Sequence, residues 1–247
     1  MQLIKINKRQ RKLIKKFLAK YHNREKVYLI KVFQAVAYLV KTGCQWRMLP
    51  TYFPRPTTVY YHFRKWNNDD GLIKFLHRLN TIRRVKQGRN ANPVMGVVDS
   101  QSVRSALPQS QKGVDGFKKV KGIKRQILVN SIGNPLLIDV TTANVYDSKG
   151  AGHLINSIRT YYPTIALVKA DKGYVGAEHN HENFRLECVK SNFGTSEFIP
   201  LEGHWVVERF NSWLDNYRRL CRNYEHYLST AKTMAYFACV MIMLKSI

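Results

Sequence analysis

The chain has 247 residues, 45% of them hydrophobic, enough for a substantial core in one large domain or a small and a medium one. Lys and Arg number 41 against 16 Asp and Glu, a net charge of +25 that exceeds what solubility needs and points to a polyanion, most simply nucleic acid. The longest apolar stretch, the eleven residues Met234–Leu244, is too short to span a membrane and reads as a buried terminal helix. The four cysteines (Cys44, Cys188, Cys221, Cys239) form no CxxC pair, which argues against a zinc cluster and a disulfide framework. With no secretory signal visible, the expected compartment is a reducing cytoplasm.

Residues 1–24 place Lys5, Lys8, Arg9, Arg11, Lys12, Lys15, Lys16 and Lys20 around Leu3, Ile6, Leu13, Ile14, Phe17 and Leu18, a basic amphipathic helix. Glu25–Lys41 is a second helix, ended by Gly43; Trp46–Leu49 makes a short turn, and Pro50, Pro54 and Pro56 punctuate the connection. Thr57 or Thr58 is placed to cap a helix running to about Trp66. That helix carries Tyr60, Tyr61, His62, Arg64 and Lys65. A helix-turn-helix reader has this layout, and so does a small helical bundle with no reading role. Leu72–Val85 is a further helix, and the basic segment Arg83–Asn90 is the expected boundary between a helical domain (1–90) and a second domain (91–247).

The second half alternates strands and helices. Pro93–Asp99 and Ile165–Asp171 are short, mostly apolar runs, each ending in an aspartate, and suit buried strands of a sheet covered on both faces. Residues 104–125 read as a charged loop, with Lys118, Lys119, Lys121, Lys124 and Arg125 near its end. Such a loop either wraps phosphates or is simply solvated. Gln126–Ser131 and Leu136–Thr142 are strands joined by a tight turn at Gly133-Asn134-Pro135. Ser148 is placed to cap a helix reaching about Tyr162 and stopped by Pro163, after which the Ile165 strand follows as a parallel partner of the first.

His204–Tyr224 reads as one amphipathic helix burying Val206, Phe210, Trp213, Leu214, Tyr217 and Leu220. Its polar side carries Glu208 with His204, Asp215, Arg219 and Arg222. Alone, such a face is most simply solvated. Two strand-end aspartates delivered beside it change the reading, because open α/β sheets hold their sites at strand ends. Asp99, Asp171 and Glu208 then supply hard oxygen ligands of the kind magnesium takes. Lone carboxylates elsewhere (Asp115, Asp139, Asp147, Glu178, Glu187) read as structural or surface groups, with Asp147, at the start of a helix, the one nearest to suspicion.

VVDSQSVRS at 97–105, KKVKGIKRQILV at 118–129, ADKGYVG at 170–176 and WVVERFNSWLDNYRRLCRNYE at 205–225 resemble the DDE transposases of bacterial insertion sequences, most closely the insertion-sequence-five type, which is related to the insertion-sequence-four type. TGCQWRMLP…FPRPTTVYYHFRKW is similar to the helical domain that precedes the catalytic core there. The resemblance runs from about Val27 to the end and implies a ribonuclease H-like mixed five-stranded sheet flanked by helices, behind a small all-α helix-turn-helix-like domain. It implies Asp99, Asp171 and Glu208 as catalytic and metal-holding residues, with two Mg²⁺ (or Mn²⁺) ions per site. It implies DNA contacts from Tyr60, Tyr61, Arg64, Lys65, Lys118, Lys119, Lys121, Lys124, Arg125, Lys172, His204, Arg209, Arg218, Arg219 and Arg222. The implied partners are double-stranded DNA, both terminal inverted repeats and target, and further copies of the chain in a dimer or larger assembly on DNA; the implied setting is bacterial cytoplasm, at the nucleoid.

The signature of the related group has tyrosine, arginine and lysine where this chain has Leu201, His204 and Asp215. Histidine is a weaker, pH-dependent substitute for a bidentate arginine. The expected activity is cleavage of insertion-sequence ends and joining of the 3′-hydroxyl to target DNA. An inert DNA-binding copy and a nuclease without strand transfer are the alternatives.

Overall fold

The computed structural model describes residues 6–21, 26–177, 184–188 and 203–247. Four helices come first: α1 (Lys8–Leu18), α2 (Lys26–Thr42), α3 (Pro56–Asn67) and α4 (Gly71–Lys86). Then come β1 (Met95–Arg104), β2 (Gly113–Asp115), β3 (Val120–Asn130), β4 (Pro135–Thr142), α5 (Asp147–Tyr161), β5 (Leu167–Ala170) and β6 (Arg185–Cys188). Helices α6 (Trp205–Asp215), α7 (Arg218–Cys221) and α8 (Leu228–Lys245) close the chain. The sheet runs β3-β1-β5-β6, with β4 on the far side of β3 and short β2 on the first residues of β3. β1, β3 and β4 are antiparallel neighbours, while β5 and β6 run parallel to β1. This is the ribonuclease H-like order, and β6 completes the five long-range strands, of which the sequence had located four.

Local chemistry explains most boundaries. Asn7 caps α1 in a reciprocal box with Gln10. Gly43 leaves α2 at φ +74, a conformation that costs a side-chain-bearing residue energy. α3 starts one residue before the expected cap, because Pro56 occupies its first turn with φ already set, so Thr57 and Thr58 lie inside the helix. Likewise α5 starts at Asp147 behind Tyr146, without a side-chain cap from Ser148.

Three expectations need correction. β1 does not end at Asp99 but continues to Arg104 along β3. The segment expected as a loop up to residue 125 is strand from Val120 onward, after a tight β2–β3 turn in which Lys119 takes φ 51. The expected single helix His204–Tyr224 breaks at Asn216, whose side chain donates to the Ser212 carbonyl at 3.1 Å, and Tyr217 is extended. Past the break the chain must reach the sheet: Asn223 N–H donates to the Arg104 carbonyl at 2.8 Å and Ala106 N–H to the Asn223 carbonyl at 2.8 Å.

One core joins the N-terminal helices to the sheet. Phe17 stacks on Phe75 at 4.8 Å between centroids, while Phe33 and Trp66 meet Phe237 of α8 at 4.8 and 5.7 Å. The same apolar cluster continues through Val97, Val103, Ile123 and Ile127 on one sheet face to Val207 and Phe210 of α6. A second cluster, built on Val98, Leu128, Leu137, Leu154 and Tyr162, fills the face under α5. α8 is buried around its whole circumference, so the apolar stretch at 234–244 is an interior helix as expected. No described helix is long and apolar enough to cross a membrane. The outer edge of β4 is closed by side chains: Asn80 donates to the Pro135 carbonyl at 2.7 Å, and Ile138 N–H donates to the Tyr236 hydroxyl at 3.0 Å.

Because α8 serves both halves, thermal unfolding should be a single calorimetric transition. Phe237→Ala should destabilise the whole chain by about 3–5 kcal/mol, and two separable transitions in the parent would contradict the shared core.

Candidate active site

β1 pairs with β5 only at Met95–Val97, with Val97 opposite Lys169. Continued by two residues, that register sets Asp171 beside Asp99, at roughly the 4.8 Å spacing of neighbouring strands. Beyond Val97 the two chains part: β1 follows β3, while Asp171 caps a short 3₁₀ turn, Lys172–Tyr174, by accepting from Gly173 N–H at 3.1 Å. Burial pushes the Asp99 carboxyl above the ordinary carboxylate range, and the charge of Asp171 adds to it. The Ser100 N–H, His204 and Lys118 oppose that shift.

Residues 97, 99, 101 and 103 share the face of β1 turned to α6. Asn211 Nδ2 donates to Asp99 Oδ2 at 3.0 Å, and Gln101 Nε2 donates to Asp215 Oδ1 at 3.2 Å. On α6, His204, Glu208, Asn211 and Asp215 follow one another at spacings of four, three and four, which makes one stripe. Glu208 is therefore flanked by two residues that act on Asp99, with its Oε1 3.7 Å from His204 Nδ1 and most of its side chain exposed. Among the described residues, no three His, Cys, Asp or Glu side chains stand close enough to share an ion. The donor set still fits a hard divalent cation. The charge of Asp171 is felt at Asp99, and the buried Tyr174 hydroxyl, which feels Asp147, Asp99 and Asp171, has no partner among the described residues.

Several residues expected to touch DNA are spent inside the protein. Lys124 is buried, with its Nζ 3.0 Å from Asp147 Oδ1, 3.5 Å from Asp115 Oδ2 and donating to the Val145 carbonyl at 2.9 Å. Arg125 is buried too, donating to the Leu220 carbonyl at 2.8 Å and to Gln101 Oε1 at 3.3 Å. Burial pushes its guanidinium down to about 10, and Asp215 opposes the shift. Arg219 is buried against Glu225 at 2.7 Å and does not share the face of Glu208. Arg209 lies between Trp205 and Trp213, 4.5 and 5.0 Å from their centroids, and donates to the Ile132 carbonyl at 2.9 Å. Lys118 donates to the Ser100 carbonyl at 2.8 Å, close to Asp99.

The others remain at the surface: Lys119, Lys121, Lys172, Arg218 and Arg222 are exposed. So are Tyr60, Tyr61, Arg64 and Lys65 on one face of α3, with Lys65 Nζ 4.6 Å above the Tyr61 ring. His62 of that helix is buried, which pushes its imidazole below the ordinary range, and neighbouring Lys65 adds to this. α3 follows α2 after the connection Gly43–Arg55, longer than the three or four residues of a tight helix-turn-helix. Leu201 lies outside the described residues.

Asn211, Gln101 and the Asp115–Lys124–Asp147 network were missed by sequence reasoning. Asn211 could have been found from its place three residues after Glu208; the network joins residues far apart in the chain and left no local signal. Asp115 is structural, as expected: it is buried, and its carboxylate accepts from Ser102 Oγ at 2.6 Å and from the N–H groups of Phe117 and Lys118 at 3.1 and 3.0 Å. Asp215, exposed, accepts from Gln101, and its charge acts on the buried Arg125.

Residues 91–244 match the family model described as Transposase DDE domain, and residues 7–76 match the model described as a transposase of the IS4/5 family (DUF4096). No curated protein and no solved structure matches the chain significantly.

Two outcomes are expected from these contacts. Asp215→Lys should lower stability by about 0.5–1.5 kcal/mol, read from the urea midpoint, because it removes the Gln101 bond and replaces an anion that acts on Arg125 by a cation. An unchanged midpoint would show that these contacts carry no stability. Burial alone would raise Asp115, but Ser102, Lys124 and two backbone N–H groups hold it down at about 2. Its unfolded value is near 3.9, so its contribution is present above about pH 4 and lost as pH falls towards 2. Asp115→Asn should therefore destabilise at pH 7, with the difference from the parent narrowing across that window. A difference that stays constant from pH 6 to 2 would remove the charge from the account.

Proposed function

The chain belongs to the DDE transposases of the IS4/IS5 type, and from that footing we propose that it binds the terminal inverted repeats of an insertion sequence, cuts the ends and joins the freed 3′-hydroxyl to target DNA. The observation that carries this reading is the parallel pairing of β1 with β5 up to Val97, two residues short of Asp99 and Asp171, together with the Asn211 bond that ties the Glu208 face of α6 to Asp99.

Asp99, Asp171 and Glu208 would hold the two divalent ions. Mg²⁺ or Mn²⁺ held there supplies activation of the attacking hydroxyl and neutralises charge on the phosphate. The chain's own residues do the positioning. Asn211 fixes the Asp99 carboxylate by holding Oδ2. Glu208 is largely exposed beside His204, with no shorter ion pair among the described residues. The His204 Nε2, buried without a partner, and Lys118 are donors that act on Asp99 and would serve a phosphate oxygen. Exposed Lys119, Lys121, Lys172, Arg218 and Arg222 follow the DNA backbone, while the Tyr60, Tyr61, Arg64 and Lys65 face of α3 reads the ends. Joining two ends to one target needs two active sites together, so the working unit on DNA is a dimer or larger.

A second reading, a DNA-binding copy without turnover, is favoured by Glu208 lying against His204 rather than in a three-ligand cluster. A labelled terminal-repeat duplex with Mg²⁺ and a target plasmid separates the two. Nicking with joined product supports the proposal; nicking alone indicates a nuclease; retention without cleavage indicates the inert copy.

Asp99→Asn, Asp171→Asn and Glu208→Gln should each lower end cleavage by about a hundredfold or more while DNA affinity and folding persist. Parental activity in any one of them would remove that residue from the site. DNA affinity should also fall steeply with salt: for about six neutralised phosphates the slope of log K against log[salt] is near −5, and a slope near zero would contradict a DNA role for the charge. Since α1–α4 share the core, end recognition is better tested by Tyr61→Ala with Arg64→Ala and Lys65→Ala than by deletion. The triple change should reduce the preference for repeat ends over random duplex.

A further inference from the structure

The floor of the acidic site contains two groups that the three carboxylates do not account for. A Cβ at Gly173 would lie 2.9 Å from Asp147 Oδ2 and 3.2 Å from Asp171 Oδ1. Two carboxylates from different parts of the chain thus crowd one backbone position, and any side chain there would have to push the Asp147 carboxylate aside. Asp147 is fixed from behind: Lys124 Nζ stands 3.0 Å from its Oδ1, and Gln126 Nε2 donates to its carbonyl at 3.3 Å. Asp171 is fixed from within its own turn by Gly173 N–H. Directly after them, Tyr174 is fully buried among Ala151, Leu154 and Ala170, and its hydroxyl has no partner. Buried polar groups without partners are uncommon and call for an explanation. Burial, then the charges of Asp147, Asp99 and Asp171 in that order, keep the phenol protonated, so it can donate a hydrogen bond.

We propose that Asp147 and Tyr174 are positioning residues of the acidic site: Asp147 wedges the Gly173 turn so that Asp171 faces Asp99, and the Tyr174 hydroxyl donates to Asp147 once a divalent ion draws the carboxylates together. The inference rests on the metal-dependent reading above but concerns different residues. Groups that orient metal ligands without touching the metal commonly change affinity or activity by about 10- to 100-fold when altered. A tyrosine serving only as core would do neither.

The test is Mn²⁺ binding to the DNA-free protein, followed by electron paramagnetic resonance, for the parent, Tyr174→Phe, Asp147→Asn and Gly173→Ala. Asp139→Asn is the control, since it loses a 2.7 Å ion pair to Lys232 away from the site. The first three should weaken Mn²⁺ binding by about 10- to 100-fold, and raise by the same factor the Mn²⁺ concentration that half-saturates cleavage. The control should bind like the parent. Tyr174→Phe removes one oxygen and keeps the ring packing, so it decides the matter should Asp147→Asn fail to fold. A folded Tyr174→Phe with parental Mn²⁺ affinity overturns the proposal, even if its melting temperature falls. A parent that binds no Mn²⁺ overturns the metal-site reading and this inference together; a parent that binds with unaffected variants overturns the inference alone.

Discussion

β1 has a hydrogen-bonded neighbour on both edges only as far as Val97, and it then runs on beside β3 alone to Arg104. A strand that parts from one neighbour leaves an opening at the point of parting, and here an aspartate follows on each side: Asp99 two residues past Val97, inside β1, and Asp171 directly after β5. Everything else at the site serves that opening. α6 crosses the freed part of β1 and ties to it at Asp99 and Gln101. The turn after β5 folds back on Asp147. The chain after α7 adds to the end of β1 through Arg104 and Ala106, which fixes the length of α6 and breaks the helix at Asn216.

The charge of the chain divides between two tasks. A minority of cations are interior: Lys124, Arg125 and Arg219 hold carboxylates or carbonyls that would otherwise be buried unpaired. Lys124 ties the start of α5 to the sheet and Arg125 ties α7 to it, while Arg219 links α7 to Glu225 and the Cys44 carbonyl. Most of the remainder lie on the surface with few acids to neutralise them, and their collective field suits a polyanion. Counting lysines in a basic segment does not separate the tasks. Between 118 and 125, Lys119 and Lys121 face solvent while Lys124 and Arg125 are enclosed, because alternate strand residues face opposite ways and the sheet is covered on both faces.

Much of this was legible in the sequence. Apolar runs ending in Asp99 and Asp171 located β1 and β5, and the stripe through Phe210 and Leu214 located α6. What was lost has physical causes. Ser100, Gln101 and Ser102 continue β1 without an apolar signature, since their partners are a lysine and two carboxylates rather than core. Tyr217 and Leu220 keep the helical period across the break after α6, so periodicity could not register it. β6 is four residues long, too short to stand out. Of the candidate site, the sequence singles out the three acidic positions, but the residues that contact them come from distant segments and declare themselves only in the folded chain.

The central claim is that Asp99, Asp171 and Glu208 gather around one divalent-ion site. It is tested most directly by replacing Mg²⁺ with Fe²⁺ and generating hydroxyl radicals at the bound ion with ascorbate and peroxide, then mapping where the backbone is cut. Cleavage should cluster near residues 99, 171 and 208, be competed away by Mg²⁺, and disappear in Asp99→Asn. Cuts confined to other segments, or a pattern indifferent to Asp99→Asn, would contradict the claim.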